Sequence, residues 1–564
     1  MLRSLLTALT VVLALGTPLA RAGPPQPVRA QHGMVVTAQH LASEVGVDIL
    51  RAGGNAVDAA VAVGYALAVV HPCCGNLGGG GFMLIHRADG GDVFINFREK
   101  APAAARRDLF LDRNGNVIPG LSTGTYLSVG VPGTVLGLDT ALRRYGTMTR
   151  AQVMAPAIRL ARAGFVLQAG DVQLLNQRAA DFARQPNVAS IFLKAGKPYR
   201  AGERLVQPQL AHTLEQIEKL GPDAFYRGAI AAAVVAASRR NGGLLSRADF
   251  AHYTVEEEHP VGCTYRGYQI LSAPPPSSGG TTLCEILNVV AGYPMAKLGF
   301  HSARSIHYLV EAMRRAYADR NTYLGDPDFV TNPIARLLAP AYAAQLRKGI
   351  RAFHATPSAQ VHGGLGPPEG DDTTHYSIVD AHGNAVAVTY TLNYFFGSGL
   401  IAGNTGFFLN NEMDDFTSKP GVPNSYGLVQ GPRNAVAPGK RPLSSMSPTI
   451  VLHNGRLFMV TGSPGGSRII TITLETILNV IDYGMNIEAA VAAPRIHQQW
   501  LPDVVYAEPD AISPPVLKAL EQMGYSVVVQ PPWGAAEAIL VDPHNGLREG
   551  ANDPRRPAGL AVGY

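Results

Sequence analysis

Tryptophan, cysteine and charge are all scarce in this chain. Two tryptophans and four cysteines are spread over 564 residues, and only 16% of the chain is charged. Cys73, Cys74, Cys263 and Cys284 show no zinc-ligand spacing, and their spacing leaves any disulfide pairing open. The sixteen histidines form no evident ligand set, so no metal or cofactor is expected. His-Glu-x-x-His and the phosphate-loop motif are both missing. The formal charge is only +5 and no basic run is interleaved with aromatics, so nothing points to nucleic acid. No internal repeat is visible.

What is there suits a compact, well-buried protein larger than one ordinary domain, with 46% hydrophobic residues. Residues 1–22 read as a secretory signal. Arg3 supplies the positive start, Leu5 to Gly16 the apolar core, and Ala20-Arg21-Ala22 a small-x-small cleavage site. That apolar stretch is shorter than the roughly 18 residues a membrane span needs. The expected location is therefore outside the inner membrane, periplasmic or secreted, with no membrane span in the mature form.

Gly23 to Gln31 is Pro-rich and reads as a loose leader. Met34–Thr37 reads as a strand and His40–Ala52 as a helix. Gly53-Gly54 stops that helix and Asn55 can cap the next, Ala56–Val70, which is apolar nearly all round and so buried. Gly78 to Gly81 is followed by a strand and no Lys-Ser/Thr pair, which argues against a phosphate loop. Phe82–His86 and Val93–Phe97 read as strands, the second delivering Arg98 at its end. Cys263–Ala273 reads as one strand entering a Pro-Pro-Pro loop. Ala355 to Asp371, rich in Pro, Gly and Ser, reads as flexible and exposed.

Around residues 371–397 the chain reads DDTTHYSIVDAHGNAVAVTYTLNYFFG. Thr374–Val379 and Ala385–Leu392 alternate like strands, and Asp380 to Asn384 suits a hairpin turn with Gly383 at its positive-φ position. Pairing Asp380 with Asn384 puts Thr373 opposite Thr391, and Asn393 projects to the same face. Cross-strand threonines are also ordinary sheet stabilisers, so this gathering alone has two readings.

The blocks Thr373-Thr374-His375-Tyr376-Ser377 and Gly383 to Asn393 resemble the signature of the γ-glutamyltransferases. So do Asn76 to Phe82, Phe97 to Pro102, Pro274 to Gly280, Arg441 to Pro448 and Gly462 to Ser467. They occur in the family's order and span nearly the whole mature chain. The resemblance implies an α+β fold of the N-terminal nucleophile hydrolase type, an αββα sandwich of two stacked antiparallel sheets between helical layers. It implies self-cleavage between Asp372 and Thr373. Residues 23–372 would become a large subunit and 373–564 a small one, held as a heterodimer.

By the same resemblance Thr373 is the nucleophile, Thr391 orients it, and Gly465 and Gly466 form the oxyanion site. Arg98, Ser444 and Ser445 match the family's binders of a substrate α-carboxylate. Asn393, Glu412 and Asp415 match its ammonium binders; position 412 is Gln in some bacterial relatives. Tyr426, in the Lys419–Gly431 loop, matches a lid over the glutamyl group. The implied substrates are glutathione and other γ-glutamyl compounds, with water, amino acids or dipeptides as acceptors. The family does not depend on disulfides, so none is assigned. Two alternatives stand beside this reading. One is a sister amidase, a glutaryl-cephalosporin acylase or poly-γ-glutamate hydrolase; the other is a non-catalytic exported binding protein.

Overall fold

The computed structural model describes residues 26–361 and 373–564. The leader 1–22 and Asp372 lie outside the described residues.

Two seven-stranded antiparallel sheets stack face to face. One contains β1 (Val28–Ala30), β6 (Val261–Tyr265), β7 (Tyr268–Ser272), β10 (Thr449–His453), β11 (Arg456–Thr461), β12 (Glu537–Val541) and β13 (Arg548–Asn552). Its spatial order is β1-β13-β12-β11-β10-β7-β6. The other contains β2 (Met34–Thr37), β3 (Gly80–His86), β4 (Asp92–Phe97), β5 (Glu256–Glu258), β8 (Thr374–Val379), β9 (Ala385–Thr391) and β14 (Leu560–Gly563), in the order β14-β2-β8-β9-β3-β4-β5. Segments before and after Thr373 contribute strands to both sheets.

Between the sheets lies an apolar layer that includes Met34, Val36, Phe82, Leu84, Ile450, Val460 and Ile539. Strand alternation divides the side chains. Ala385 and Ala387 face this layer, while Val386, Val388 and Tyr390 face the helices outside. On that outer side pack α1 (His40–Arg51) and α2 (Ala56–Val70). Asn55 accepts from the Val57 and Asp58 amides while Asp58 accepts from the Asn55 amide, a reciprocal cap. All fifteen residues of α2 are buried, as its uniformly apolar sequence requires. The opposite outer face is covered by α3 (Gly279–Val290), α4 (Ala303–Tyr323) and α5 (Ile469–Ile481).

Three expectations are corrected and one open point is decided. Cys263–Ala273 is two strands, turned at Arg266-Gly267, both at positive φ. Residues 28–30 of the expected loose leader form edge strand β1 against β13. The described part of the segment before Thr373 is held in place: Ser358 is buried, and the Trp500 indole N–H donates to the Val361 carbonyl at 2.6 Å. Finally, Cys263 and Cys284 form a disulfide with Cα atoms 5.7 Å apart. Packing of α3 back across β6 creates that approach, and no sequence spacing announces it.

Candidate active site

The β8–β9 hairpin has the register the sequence suggests, from Thr374 opposite Tyr390 to Val379 opposite Ala385. Gly383 takes φ +92° at the turn. The Asp380 carboxylate accepts from the His382 and Asn384 amides and from the Ala56 amide at the start of α2, at 2.9–3.0 Å. The turn is thereby fixed to the helix layer as well as closed on itself.

At the open end the two threonine hydroxyls are 3.1 Å apart, Thr373 Oγ1 to Thr391 Oγ1. The Asn393 amide donates to Thr391 Oγ1 at 2.8 Å, and Asn393 sits at φ +75°. Thr373 is buried and has φ +111°, a region that costs a non-glycine residue on the order of 1–3 kcal/mol. Behind it on the same face, His375 Nδ1 is 2.8 Å from Thr389 Oγ1 and Nε2 is 3.1 Å from Ser377 Oγ. Burial pulls the His375 pKa down to about 3, so the ring is neutral at working pH. Gly462 lies flat against it; a Cβ there would stand 2.4 Å from the ring.

Gly465 (φ +135°) and Gly466 (φ +55°) make the link from β11 into a short 3₁₀ turn, Gly466–Arg468, that runs into α5. The Tyr317 hydroxyl donates to the Ser467 carbonyl at 2.5 Å, and Ser467 Oγ donates to Gln499 at 2.6 Å, so the turn is clamped from two sides.

Facing the threonines is a buried charge cluster. The Arg98 guanidinium donates to Glu412 through Nη1, to Asp415 through Nη2, and to the Pro442 carbonyl through Nε at 3.2 Å. Burial opposes the Arg98 charge, but Glu412, Asp415 and Glu99 outweigh it and hold its pKa above the ordinary value. Burial also pushes the Glu412 carboxyl well up and the Glu99 carboxyl to about 7. Glu412 Oε2 accepts no hydrogen bond from the described residues.

A cavity of about 20 Å³ joins these groups. Its lining includes Thr373, Thr391, Asn393, Gly466, Arg98, Glu412, Asp415, Tyr426, Ser444 and Ser445. Of the nominated residues that are described, only Gly465, one position back, is not in that wall. Tyr426 is buried, and its hydroxyl donates to the Asn393 carbonyl at 3.0 Å. Sequence reasoning missed Arg320, which donates from Nη2 to Ser445 Oγ at 2.8 Å and from Nε to Ser278 Oγ at 2.9 Å. A signal existed: Arg320 is three residues past Tyr317, on the apolar face of α4. Ser278 in turn donates to the Ser444 carbonyl, lacing the Pro-Pro-Pro loop to Leu443–Met446.

The family model described as gamma-glutamyltranspeptidase matches residues 42–563. A glutathione hydrolase proenzyme of Pseudomonas sp. (strain A14) is 56% identical over 547 residues, 95% of each chain. That of Escherichia coli (strain K12) is 51% identical over 542 residues, 95% of this chain and 93% of its own. Among solved structures, a cephalosporin acylase from Bacillus halodurans superposes with a TM-score of 0.85 at 28% identity, covering 98% of this chain and 99% of that one.

Proposed function

The chain belongs to the γ-glutamyltranspeptidase family, and from that premise we propose that it is an exported, self-cleaving γ-glutamyltransferase and glutathione hydrolase. One observation carries the reading: two facing threonine hydroxyls share a cavity wall with an arginine held between two carboxylates. The first pair suits acyl transfer, the second a ligand bearing both a carboxylate and an ammonium.

The cut between Asp372 and Thr373 makes the catalyst. In the unbroken chain the Thr373 nitrogen is an amide and has no basicity. Attack of its hydroxyl on the Asp372 carbonyl gives an ester, which water hydrolyses. The freed α-amine has a pKa of roughly 7.7–8.0 and can take the proton from the hydroxyl beside it. Breaking the bond also removes φ as a constraint at Thr373, releasing the strain of its +111° conformation.

Catalysis then repeats the attack on a γ-glutamyl amide. The carbonyl oxygen becomes negative near the Gly465-Gly466 turn, which leads into the start of α5 and is assigned the oxyanion role. The amine leaves with a proton, cysteinylglycine in the case of glutathione, and a γ-glutamyl ester stays on Thr373. Water releases glutamate; an amino acid or dipeptide accepts the γ-glutamyl group instead. Arg98, Ser444 and Ser445 are assigned to the α-carboxylate, Asn393, Glu412 and Asp415 to the ammonium, and Tyr426 to the cover. No metal or cofactor enters this scheme. The products of the cut, residues 23–372 and 373–564, remain interleaved through both sheets, consistent with a heterodimer. Removal of residues 1–22 and delivery to the periplasm belong to the same proposal.

Intact-mass analysis tests it. Wild type should give two chains with the break before Thr373, and Thr373→Ala one uncut, inactive chain. A cut Thr373→Ala chain overturns the assignment. The likeness to a cephalosporin acylase favours a second reading, an amidase for glutaryl groups. Rates on γ-glutamyl-p-nitroanilide against glutaryl-p-nitroanilide separate the two.

A further inference from the structure

We propose that His71, Cys73 and Cys74 form a binding site for one soft divalent cation of the zinc class. The three residues follow directly on α2. The His71 carbonyl accepts from the Cys74 amide at 3.1 Å and the Gly75 amide at 2.9 Å, so the turn folds both thiols back under the helix end. One imidazole nitrogen and two sulfurs then lie within 4.8 Å of one another, all buried, with Cys73 Sγ 3.3 Å from His71 Nε2. Both thiols are free. The spacing His-x-Cys-Cys fits no common zinc motif, so only the folded turn exposes the cluster.

Zinc–ligand bonds of about 2.0–2.3 Å put neighbouring tetrahedral ligands roughly 3.5–3.8 Å apart. The set therefore closes onto an ion with about 1 Å of side-chain movement. Charge favours a divalent ion. Two thiolates and M²⁺ sum to zero, which suits a wall built from Leu167, Leu174, Leu175, Leu205 and Phe396. Thiolate and imidazole donors disfavour magnesium and calcium. A cavity of about 10 Å³ adjoins His71 and Cys73, near the size of one water, with Asp171 also in its wall. It can hold a fourth ligand. This site is separate from the cavity at Thr373. It does touch the frame of that cavity: the Asn76 side-chain amide donates to both the Cys74 and the Thr391 carbonyls at 3.0 Å.

The test uses the purified full protein, handled without air or strong reductant. The other two cysteines are bonded to each other, so Cys73 and Cys74 are the thiols to titrate. Competition with a chromophoric chelator should show one equivalent of Zn²⁺ per chain and protection of both thiols from alkylation. Co²⁺ should give a thiolate-to-metal charge-transfer band. Cys73→Ser/Cys74→Ser should lose at least about 100-fold in Zn²⁺ affinity and keep its rate on γ-glutamyl-p-nitroanilide. No stoichiometric Zn²⁺ binding, no cobalt band in wild type, or equal affinity in the double variant each overturns the site. Cu⁺ binding without Zn²⁺ binding overturns the divalent assignment. The cobalt band needs no variant, so a misfolded double mutant leaves the test intact.

Discussion

Replacing Thr391 with valine is the sharpest probe of the proposed chemistry. Valine has nearly the same shape, with a methyl where the hydroxyl stood. Three contacts vanish: the hydroxyl 3.1 Å from Thr373 Oγ1, the acceptor for the Asn393 amide at 2.8 Å, and a long donation to the Asn393 carbonyl at 3.4 Å. Losing a neutral hydrogen bond at the nucleophile costs about 0.5–1.5 kcal/mol, and leaving the buried Asn393 amide unpaired costs about 1–3 kcal/mol. The first loss falls on the reacting group. The second is felt in catalysis to the extent that the Asn393 turn, which also receives the Tyr426 hydroxyl, shifts. At about 1.4 kcal/mol per tenfold, the first loss alone lowers kcat about 2- to 12-fold, and both together up to roughly a thousandfold. Thr391→Ser keeps the hydroxyl and should stay within about threefold of wild type. The assay is steady-state hydrolysis of γ-glutamyl-p-nitroanilide on protein shown by mass to be cut, since an uncut chain is inactive for another reason. KM should change little, because the charged residues are untouched. A fully cut Thr391→Val enzyme with wild-type kcat would refute the orienting role.

Three further outcomes follow from other parts of the molecule. Gly465→Ala forces a side chain onto φ +135° and brings its Cβ to 3.0 Å from Ile472; kcat should fall on the order of a hundredfold, and a change under threefold would remove this turn from the oxyanion assignment. Removing the disulfide as Cys263→Ser/Cys284→Ser frees a loop of 21 residues in the unfolded chain, which should cost about 3 kcal/mol of stability in calorimetry without altering turnover at low temperature. Glu99 holds its proton more tightly folded than unfolded, with a pKa near 7 caused by burial, so its contribution to stability is complete in acid and is lost as pH rises through about 7. Glu99→Gln cannot ionise and should flatten the fall in melting temperature between about pH 4.5 and 7; parallel curves for the two proteins would contradict this.

What the sequence made legible is what is local or periodic. The β8–β9 register follows from strict alternation around a turn with glycine at one position, so Thr373 could be placed opposite Thr391 before any coordinates. The cap of α2 is written in Asn55. Ordered motif blocks, through resemblance, gathered residues from positions 98 to 466 that no pattern of spacing would join. The misses are contacts between remote segments. Arg320 reaches Ser445 only because α4 lies across the Pro-Pro-Pro loop, and Cys284 meets Cys263 only because α3 returns over β6. β1 is too short to announce itself inside a Pro-rich leader; pairing with β13 makes it a strand. The burial of Glu99 is likewise unannounced by its Phe-Arg-Glu-Lys context.

On the proposed assignment of Arg98, Glu412 and Asp415, the charge cluster gives this site a preference for an amino-acid end group. Arg98 binds Glu412 and Asp415 together, so the positive and negative halves of the site already satisfy one another in a buried setting. A zwitterionic ligand brings a carboxylate for Arg98 and an ammonium for the acids, and so replaces one set of ion pairs with two at no net change in charge. A glutaryl group brings only the carboxylate. It would draw Arg98 away from Glu412 and Asp415 and leave the Asp415 carboxylate facing its own, at an effective cost of about 4 kcal/mol for a like pair 4 Å apart. The second oxygen of Glu412, which accepts no hydrogen bond from the described residues, gives the ammonium a further partner that the glutaryl group cannot use. Discrimination on this account comes less from attraction by Arg98, which both ligands share, than from the acids that only one of them can neutralise.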